Sequence, residues 1–178
     1  MELGLIAAAR ISCVALVCGL SACGSAGEAQ IASLQSAGET FSGVATVVDG
    51  DGLEVDGVKV RLFGIDAPEV YQYCRFDGGA SWRCGQYATV ALDREIGGKQ
   101  VTCEPQDKDR YGRVVAVCRI DGRDVGRLQV RRGWAVAYRY FSKDYVTDEE
   151  IAQREKSGIW AGEFEMPWEY RRRSREKH

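Results

Sequence analysis

Apolar and polar residues begin to alternate at Phe41, and short β-rich runs follow one another from there. Residues 41–48 and 53–55 read as strands, separated by the turn-forming string Asp49-Gly50-Asp51-Gly52. Asp56-Gly57 is a two-residue hairpin signal, because such turns favour residues that tolerate positive φ. The next strand, residues 58–65, is stopped by Ala67-Pro68, since a residue before proline avoids the helical region. Trp82, Tyr87, Val90, Ala91 and Arg94 then fall at helical spacing, which predicts a helix over 82–96 closed by Gly97-Gly98. Residues 99–104 and 113–120 read as two more strands joined by a polar loop. A short helix is expected over 125–132, closed by Gly133. Thr147 and Glu150 have capping-box spacing for a further helix to Ser157, with Gly158 as its stop. Five strands with interspersed helices and no βαβ rhythm predict a small closed barrel with helices packed outside. There is no internal repeat.

The chain ahead of Phe41 has a different character. Arg10 precedes the apolar run Ile11 to Leu20, which is followed by Ser21-Ala22-Cys23-Gly24. Ten apolar residues are too few to cross a hydrocarbon layer of ~30 Å as a helix, but they suit the core of an export signal. Residues 1–22 are therefore expected to be a signal peptide. Leu20-Ser21-Ala22-Cys23 also resembles a bacterial lipobox, in which Cys23 is lipidated; plain cleavage near Ala22 is the alternative. Residues 23–40, rich in Ala, Gly, Ser and Gln, read as a flexible tether. The seventeen residues from Gly24 to Thr40 reach roughly 20–25 Å on a flexible-chain estimate, enough to hold a domain clear of a membrane.

Composition is ordinary for a soluble protein of 178 residues, with 45% hydrophobic and 28% charged. Charge alters the picture. Residues 24–169 hold 24 Asp/Glu against 18 Lys/Arg, whereas the last nine residues hold five basic groups and one acid. The body thus lacks a long phosphate-neutralising surface, and any action on nucleic acid needs a local cationic pocket. The Arg171-Arg172-Arg173 end, within residues 165–178, reads as a solvated basic tail.

Four cysteines remain in the body: Cys74, Cys84, Cys103 and Cys118. An even number in an exported domain suggests disulfides, and four cysteines allow three pairings. Proximity favours Cys74–Cys84 across a loop and Cys103–Cys118 between adjacent strands, each stabilising by about 3 kcal/mol if unstrained. No C-x-x-C occurs and the single histidine is His178, so neither a structural zinc site nor histidine-based nuclease chemistry fits.

Candidate chemistry lies in three segments: residues 48–52, residues 60–69 and Asp109-Arg110-Tyr111-Gly112-Arg113. They offer carboxylates at the ends of two strands that a hairpin brings together, with arginines nearby. Clustered acids repel and raise one another's pKa unless a cation joins them. All-oxygen ligation suits a hard cation such as Ca²⁺ or Mg²⁺, and arginines can grip a phosphate bidentately. Each segment has a plainer reading as well. The Asp-Gly string is first a turn, and it fails as an EF-hand because Glu54 stands at position six. Arg61 and Glu69 could form a surface ion pair, and Arg113 could cap a hairpin.

In this order and spacing the three segments resemble the signature of the staphylococcal-nuclease (thermonuclease) family over residues 41–162, continued by Ala137-Tyr138-Arg139-Tyr140 and Gly158-Ile159-Trp160. The resemblance implies an α+β, mainly β fold: a five-stranded OB-fold barrel with about three packed helices, here over residues 41–164. It implies a phosphodiesterase acting on single-stranded DNA or RNA, with duplex DNA a further candidate substrate, as a monomer that cleaves the 5′-oxygen bond and leaves 3′-phosphate ends. Asp51, Asp66 and the main-chain carbonyl of Ala67 would be ligands of Ca²⁺. Glu69 would orient or deprotonate the attacking water, and Arg61 and Arg113 would clamp the phosphate. Arg110 and Tyr111 match positions touching a terminal phosphate, and Tyr138 matches one lining the nucleotide pocket. Gly52 departs from the Thr or Ser usual after the second aspartate, and Ala67 from the Thr of some members. The rival reading from another class is an inactive OB-fold module that binds nucleic acid or protein; retention of both aspartates, the glutamate and both arginines counts against it. Any contact with a membrane would come only through a lipid on Cys23.

Overall fold

The computed structural model describes residues 38–177. The expected signal segment, Cys23 and the tether up to residue 37 lie outside the described residues. Strand β1 (Phe41–Val47) pairs antiparallel with β2 (Gly52–Val55), and β2 with β3 (Val58–Leu62). The β2–β3 turn is Asp56-Gly57 with φ of 46° and 83°, the positive values that a tight hairpin of this hand requires. On its other edge β1 pairs with the long strand running Gln100–Lys108, which pairs in turn with Val114–Ile120. A parallel pairing of β3 with Val114–Ile120 closes these five strands into a barrel.

Chain order between β3 and Gln100–Lys108 is richer than the pattern predicts. The run expected as one strand over 58–65 breaks at Gly64 (φ 70°), and Ile65–Asp66 (β4) leaves the barrel sheet. Two short strands follow, β5 (Cys74–Phe76) and β6 (Ser81–Trp82), then helix α1 (Cys84–Ile96). Trp82, expected to open the helix, therefore lies in β6. Strand β7 is Gln100–Lys108, longer than expected, with an irregularity between Pro105 and Asp107 where proline lacks an N–H for the ladder. After β8 (Val114–Ile120) come β9 (Arg123–Asp124), α2 (Val125–Arg131), β10 (Val136–Ala137), α3 (Val146–Arg154), a 3₁₀ turn (Gly158–Ala161), β11 (Gly162–Glu163) and α4 (Pro167–Glu176). The Thr147–Glu150 capping box is not used: Tyr145 stands at the N-cap of α3 without a side-chain cap bond.

Inward positions alternate along the barrel strands, with Val101 and Cys103 on β7 and Ala116, Cys118 and Ile120 on β8 buried. Leu92 and Ile96 of α1 and Val125 and Val130 of α2 cover the barrel and complete one core. Cys103 and Cys118 face each other in register and form a disulfide inside it. A second cluster gathers the Cys74–Cys84 disulfide, Val136 and Ile159, with Trp82, Trp160, Phe164, Met166 and Trp168 packed against it. Both expected pairings are thus formed, and Trp82 and Trp160 are packing residues.

The basic C-terminal segment differs from the expected solvated tail. Pro167 occupies the first turn of α4, where its missing N–H costs nothing, and Met166 and Trp168 enter the second cluster. Arg173 pairs with Glu165, and the Tyr170 hydroxyl donates to the Tyr71 carbonyl at 3.3 Å. Among the described residues four α-helices therefore accompany the barrel, rather than about three.

Candidate active site

The turn between β1 and β2 is built by close approach. Gly50 packs where an added Cβ would lie 2.6 Å from the Ala67 Cβ, and buried Gln129 of α2 donates to the Gly50 carbonyl at 3.0 Å. The Asp49 carboxylate accepts the Asp51 N–H at 3.1 Å. A Cβ on Gly52 would fall 2.7 Å from that same carboxylate. The departure at Gly52 thus has a physical reason: the Asp49 side chain fills the space a threonine would need. Thereby fixed, Asp51 sends its carboxylate inward, where Oδ2 accepts the Ala67 N–H at 3.0 Å.

Asp66 arrives from β4, paired with Val136 of β10, and is fully buried. Arg61 of β3 lies between the two aspartates, donating from Nη1 to Asp51 Oδ1 at 3.2 Å and from Nη2 to Asp66 Oδ1 at 2.8 Å. The surface Arg61–Glu69 pair considered from sequence is not formed. Burial raises the Asp51 pKa to about 7; Arg61 opposes this, while Asp49 and Asp66 add to it. Burial works against the Arg61 charge, yet Asp51 and Asp66 outweigh it and hold the guanidinium more firmly protonated than usual.

Glu69 sits in the loop after β4, at the rim. Its N–H donates to Gln72 Oε1 at 3.2 Å, and Gln72 Nε2 donates to the Glu165 carbonyl at 2.6 Å. Gly85 of α1 presses against this loop so tightly that a Cβ would meet the Glu69 carbonyl oxygen at 1.7 Å. The Cys74–Cys84 disulfide ties the loop to the start of the same helix.

Asp51, Arg61, Ala67 and Glu69 line a pocket of about 590 Å³, whose other residues include Arg110, Tyr111 and Arg113 from the β7–β8 turn and Tyr138 after β10. Arg113 does cap its hairpin: Asp109 accepts its main-chain N–H at 2.9 Å and its Nε at 2.7 Å. Burial alone would raise the Asp109 pKa, but the bonds from Arg113 and Tyr111 prevail and lower it. Arg110 lies over the Tyr111 ring at 4.8 Å and donates to its hydroxyl. Tyr138 is set by its N–H bond to the Gly64 carbonyl at 2.8 Å. Six cationic side chains line the pocket against five acidic ones, a local reversal of the body's negative balance. Cys103 and Cys118 stand away from it, in the barrel interior.

Of the pocket residues not foreseen as site residues, two come from the C-terminal helix. Arg171 and Arg175 come from α4, and Arg171 donates to both oxygens of Asp66 and to Glu69 Oε1 at 2.8–2.9 Å. Burial disfavours its charge, but Asp66 and Glu69 raise its pKa well beyond the ordinary arginine value. Nothing in the run of arginines marks Arg171 off from its neighbours, and its partner Asp66 is 105 positions away in sequence. Glu149, also unforeseen, is buried in α3 and accepts the Ala137 N–H at 2.9 Å, bracing the strand that leads into Tyr138.

Residues 59–162 match the family described as "Staphylococcal nuclease homologue". The chain is 39% identical over 132 residues to the succinoglycan biosynthesis protein ExoI of Rhizobium meliloti (strain 1021), covering 72% of this chain and 69% of that one. It is 33% identical over 138 residues to an uncharacterized endonuclease of Escherichia coli, covering 73% and 84%. A micrococcal nuclease of Shigella flexneri is 32% identical over 152 residues, covering 74% and 80%. With the barrel, with Arg61 and the buried Asp66 inside the matched segment and Asp51 just ahead of it, the chain belongs to the staphylococcal nuclease family.

Proposed function

We propose that this nuclease hydrolyses DNA or RNA with the help of a hard divalent cation, Ca²⁺ by family resemblance, and leaves 3′-phosphate ends. The observation that carries the reading is Arg61 held between two buried aspartates on a pocket lined by further arginines. The donor set fits such a cation. Asp51 Oδ1 and Oδ2 each receive one N–H, leaving acceptor capacity on both, and no nitrogen or sulfur donor is offered. Among the described residues no three acidic, histidine or cysteine side chains gather into a metal site, so Asp51 and Asp66 need the Ala67 carbonyl and water to complete a shell. Bound there, the cation would offset phosphate charge and polarise a phosphoryl oxygen.

The chain's own groups supply the rest. Arg61 and Arg113 present to the phosphate the N–H groups that Asp51, Asp66 and Asp109 do not hold, and stabilise charge growing on its equatorial oxygens. Glu69 is the general base: its side chain is 39% exposed, against 7% for Asp51 and 0% for Asp66, so of the three it is the one open to an attacking water. It takes one proton of the attacking water as that water's oxygen bonds to phosphorus and the phosphorus–O5′ bond breaks; the departing O5′ takes a proton from solvent, giving a 3′-phosphate and a 5′-hydroxyl. Arg110 and Tyr111 receive a terminal phosphate, and Tyr138 faces the base. A single strand fits this local pocket better than a duplex, whose charge calls for a longer basic surface. The two disulfides support an exported protein working in an oxidising compartment, with residues 1–22 as its signal; the lipobox-like Leu20-Ser21-Ala22-Cys23 makes it either a lipoprotein anchored through Cys23 or, with plain cleavage, a soluble periplasmic or secreted protein.

Incubating purified protein with end-labelled single-stranded DNA, with Ca²⁺ and with chelator, tests the reading. Cleavage that needs Ca²⁺, leaves 3′-phosphates and disappears in Asp51→Ala supports it. Undiminished cleavage in chelator, or 5′-phosphate ends, overturns it.

A further inference from the structure

Helix α4 lies beyond residues 59–162, so its contacts with the site are not part of what the family match assigns. Arg171 Nη1 and Nη2 reach Asp66 Oδ1 and Oδ2 at 2.9 and 2.8 Å, and Nη1 also reaches Glu69 Oε1 at 2.8 Å. Asp66 Oδ1 already receives Arg61 Nη2 at 2.8 Å. A carboxylate oxygen carries two lone pairs, so Oδ1 is filled and Oδ2 half filled. One turn earlier on α4, Trp168 packs on the Tyr138 ring with centroids 5.7 Å apart. A single helix therefore covers a proposed cation ligand, the proposed base and the tyrosine facing the nucleotide.

A guanidinium and a divalent cation answer the same need, positive charge beside Asp66, and cannot share the same lone pairs. The later part of the helix is also placed to give way: Met166 and Trp168 pack its start into the second cluster, whereas Arg171 is 30% exposed and the Tyr170–Tyr71 bond, at 3.3 Å, is open to water.

We propose that Arg171 competes with the divalent cation for Asp66 and Glu69, so that α4 sets the cation affinity of the centre and undocks as the cation binds. The inference rests on the cation reading given above. A ligand shifts a conformational equilibrium only through its differing affinity for the two states, and here the difference is the lone pairs that α4 occupies. Linkage makes the effect reciprocal: a docked helix weakens the cation, and the cation weakens docking. Release of α4 also frees Glu69 for the water and Tyr138 for a base, coupling cation arrival to opening of the substrate pocket.

The test is calorimetric titration of CaCl₂ into the full-length protein, Arg171→Gln and Trp168→Ala, alongside hydrogen exchange of α4 in the wild type. If the helix is docked in roughly nine molecules of ten, Arg171→Gln should bind calcium about tenfold tighter. Trp168→Ala should shift affinity in the same direction, and calcium should speed exchange across α4 in the wild type. Equal or weaker binding by a folded Arg171→Gln, or slower exchange of α4 with calcium, overturns the competition while leaving the cation site standing. Should Arg171→Gln fail to fold, Trp168→Ala and the exchange measurement decide the matter. If none of the three proteins binds calcium, magnesium or manganese, the cation reading fails and the competition falls with it.

Discussion

The Arg61 guanidinium lies 2.8 Å from the fully buried Asp66 carboxylate, and its other terminal nitrogen lies 3.2 Å from Asp51. One planar fork therefore joins two acids that would otherwise repel. A lysine keeps the charge but is a single point and cannot span both. Arg61→Lys should lower kcat by about 10²–10³-fold, the usual cost of removing a preorganised charge stabiliser. Steady-state kinetics on a defined oligonucleotide check this. A change confined to KM would mean that Arg61 serves substrate attraction alone.

Asp51 carries the clearest pH signature. Its pKa is raised from 3.8 to about 7, so between those values the folded protein keeps a proton that the unfolded chain has lost. Stability in chelator should then fall as pH rises through that window. Asp51→Asn cannot titrate and should lose this part of the slope, so its advantage over the wild type should grow up to about pH 7 and then level off. Melting temperatures of both proteins across the window measure it. A constant difference would show that Asp51 stays ionised throughout.

Gly52 offers a test of how the metal-side turn is braced. A Cβ there would sit 2.7 Å from the Asp49 carboxylate that accepts the Asp51 N–H. Gly52→Ala should swing Asp49 away and leave that N–H unpaired, costing roughly 1 kcal/mol. Chemical denaturation gives the stability change, and calcium titration should show weaker binding because Asp51 is less firmly held. An unchanged calcium affinity would assign Asp51's placement to the Ala67 N–H instead.

The barrel was legible because its strands alternate and its hairpins carry explicit turn residues, Asp56-Gly57 above all. The acids and Arg61 were legible because they sit in three short segments whose order is distinctive. What escaped is information the local sequence does not hold. The Thr147–Glu150 spacing suits a cap, yet the helix starts at Val146 and leaves Thr147 inside its first turn. Helix α4 has few apolar positions and is fixed by long-range pairs, Arg171 with Asp66 and Glu69, that no local period announces. Glu149 likewise reads as a surface acid in a charged helix, although the fold buries it against the Ala137 N–H.

The two disulfides should differ in what they do, which separates stability from positioning. Cys74–Cys84 closes a loop of ten positions beside Glu69, and Gln72 within that loop's approach accepts the Glu69 N–H. Cys103–Cys118 joins two barrel strands away from the pocket across fifteen positions. Loop-closure entropy assigns each about 3 kcal/mol, so replacing either pair by alanine should lower stability by a similar amount. Activity should not follow suit. With Cys74 and Cys84 removed, the segment carrying Glu69 samples more conformations, and kcat should fall even well below the melting temperature. With Cys103 and Cys118 removed, β7 and β8 remain paired along their length, and kcat should hold. Denaturation curves and kcat measured on the two double variants decide between these outcomes. Equal loss of kcat in both would reduce the Cys74–Cys84 bridge to a stabilising staple with no part in placing Glu69.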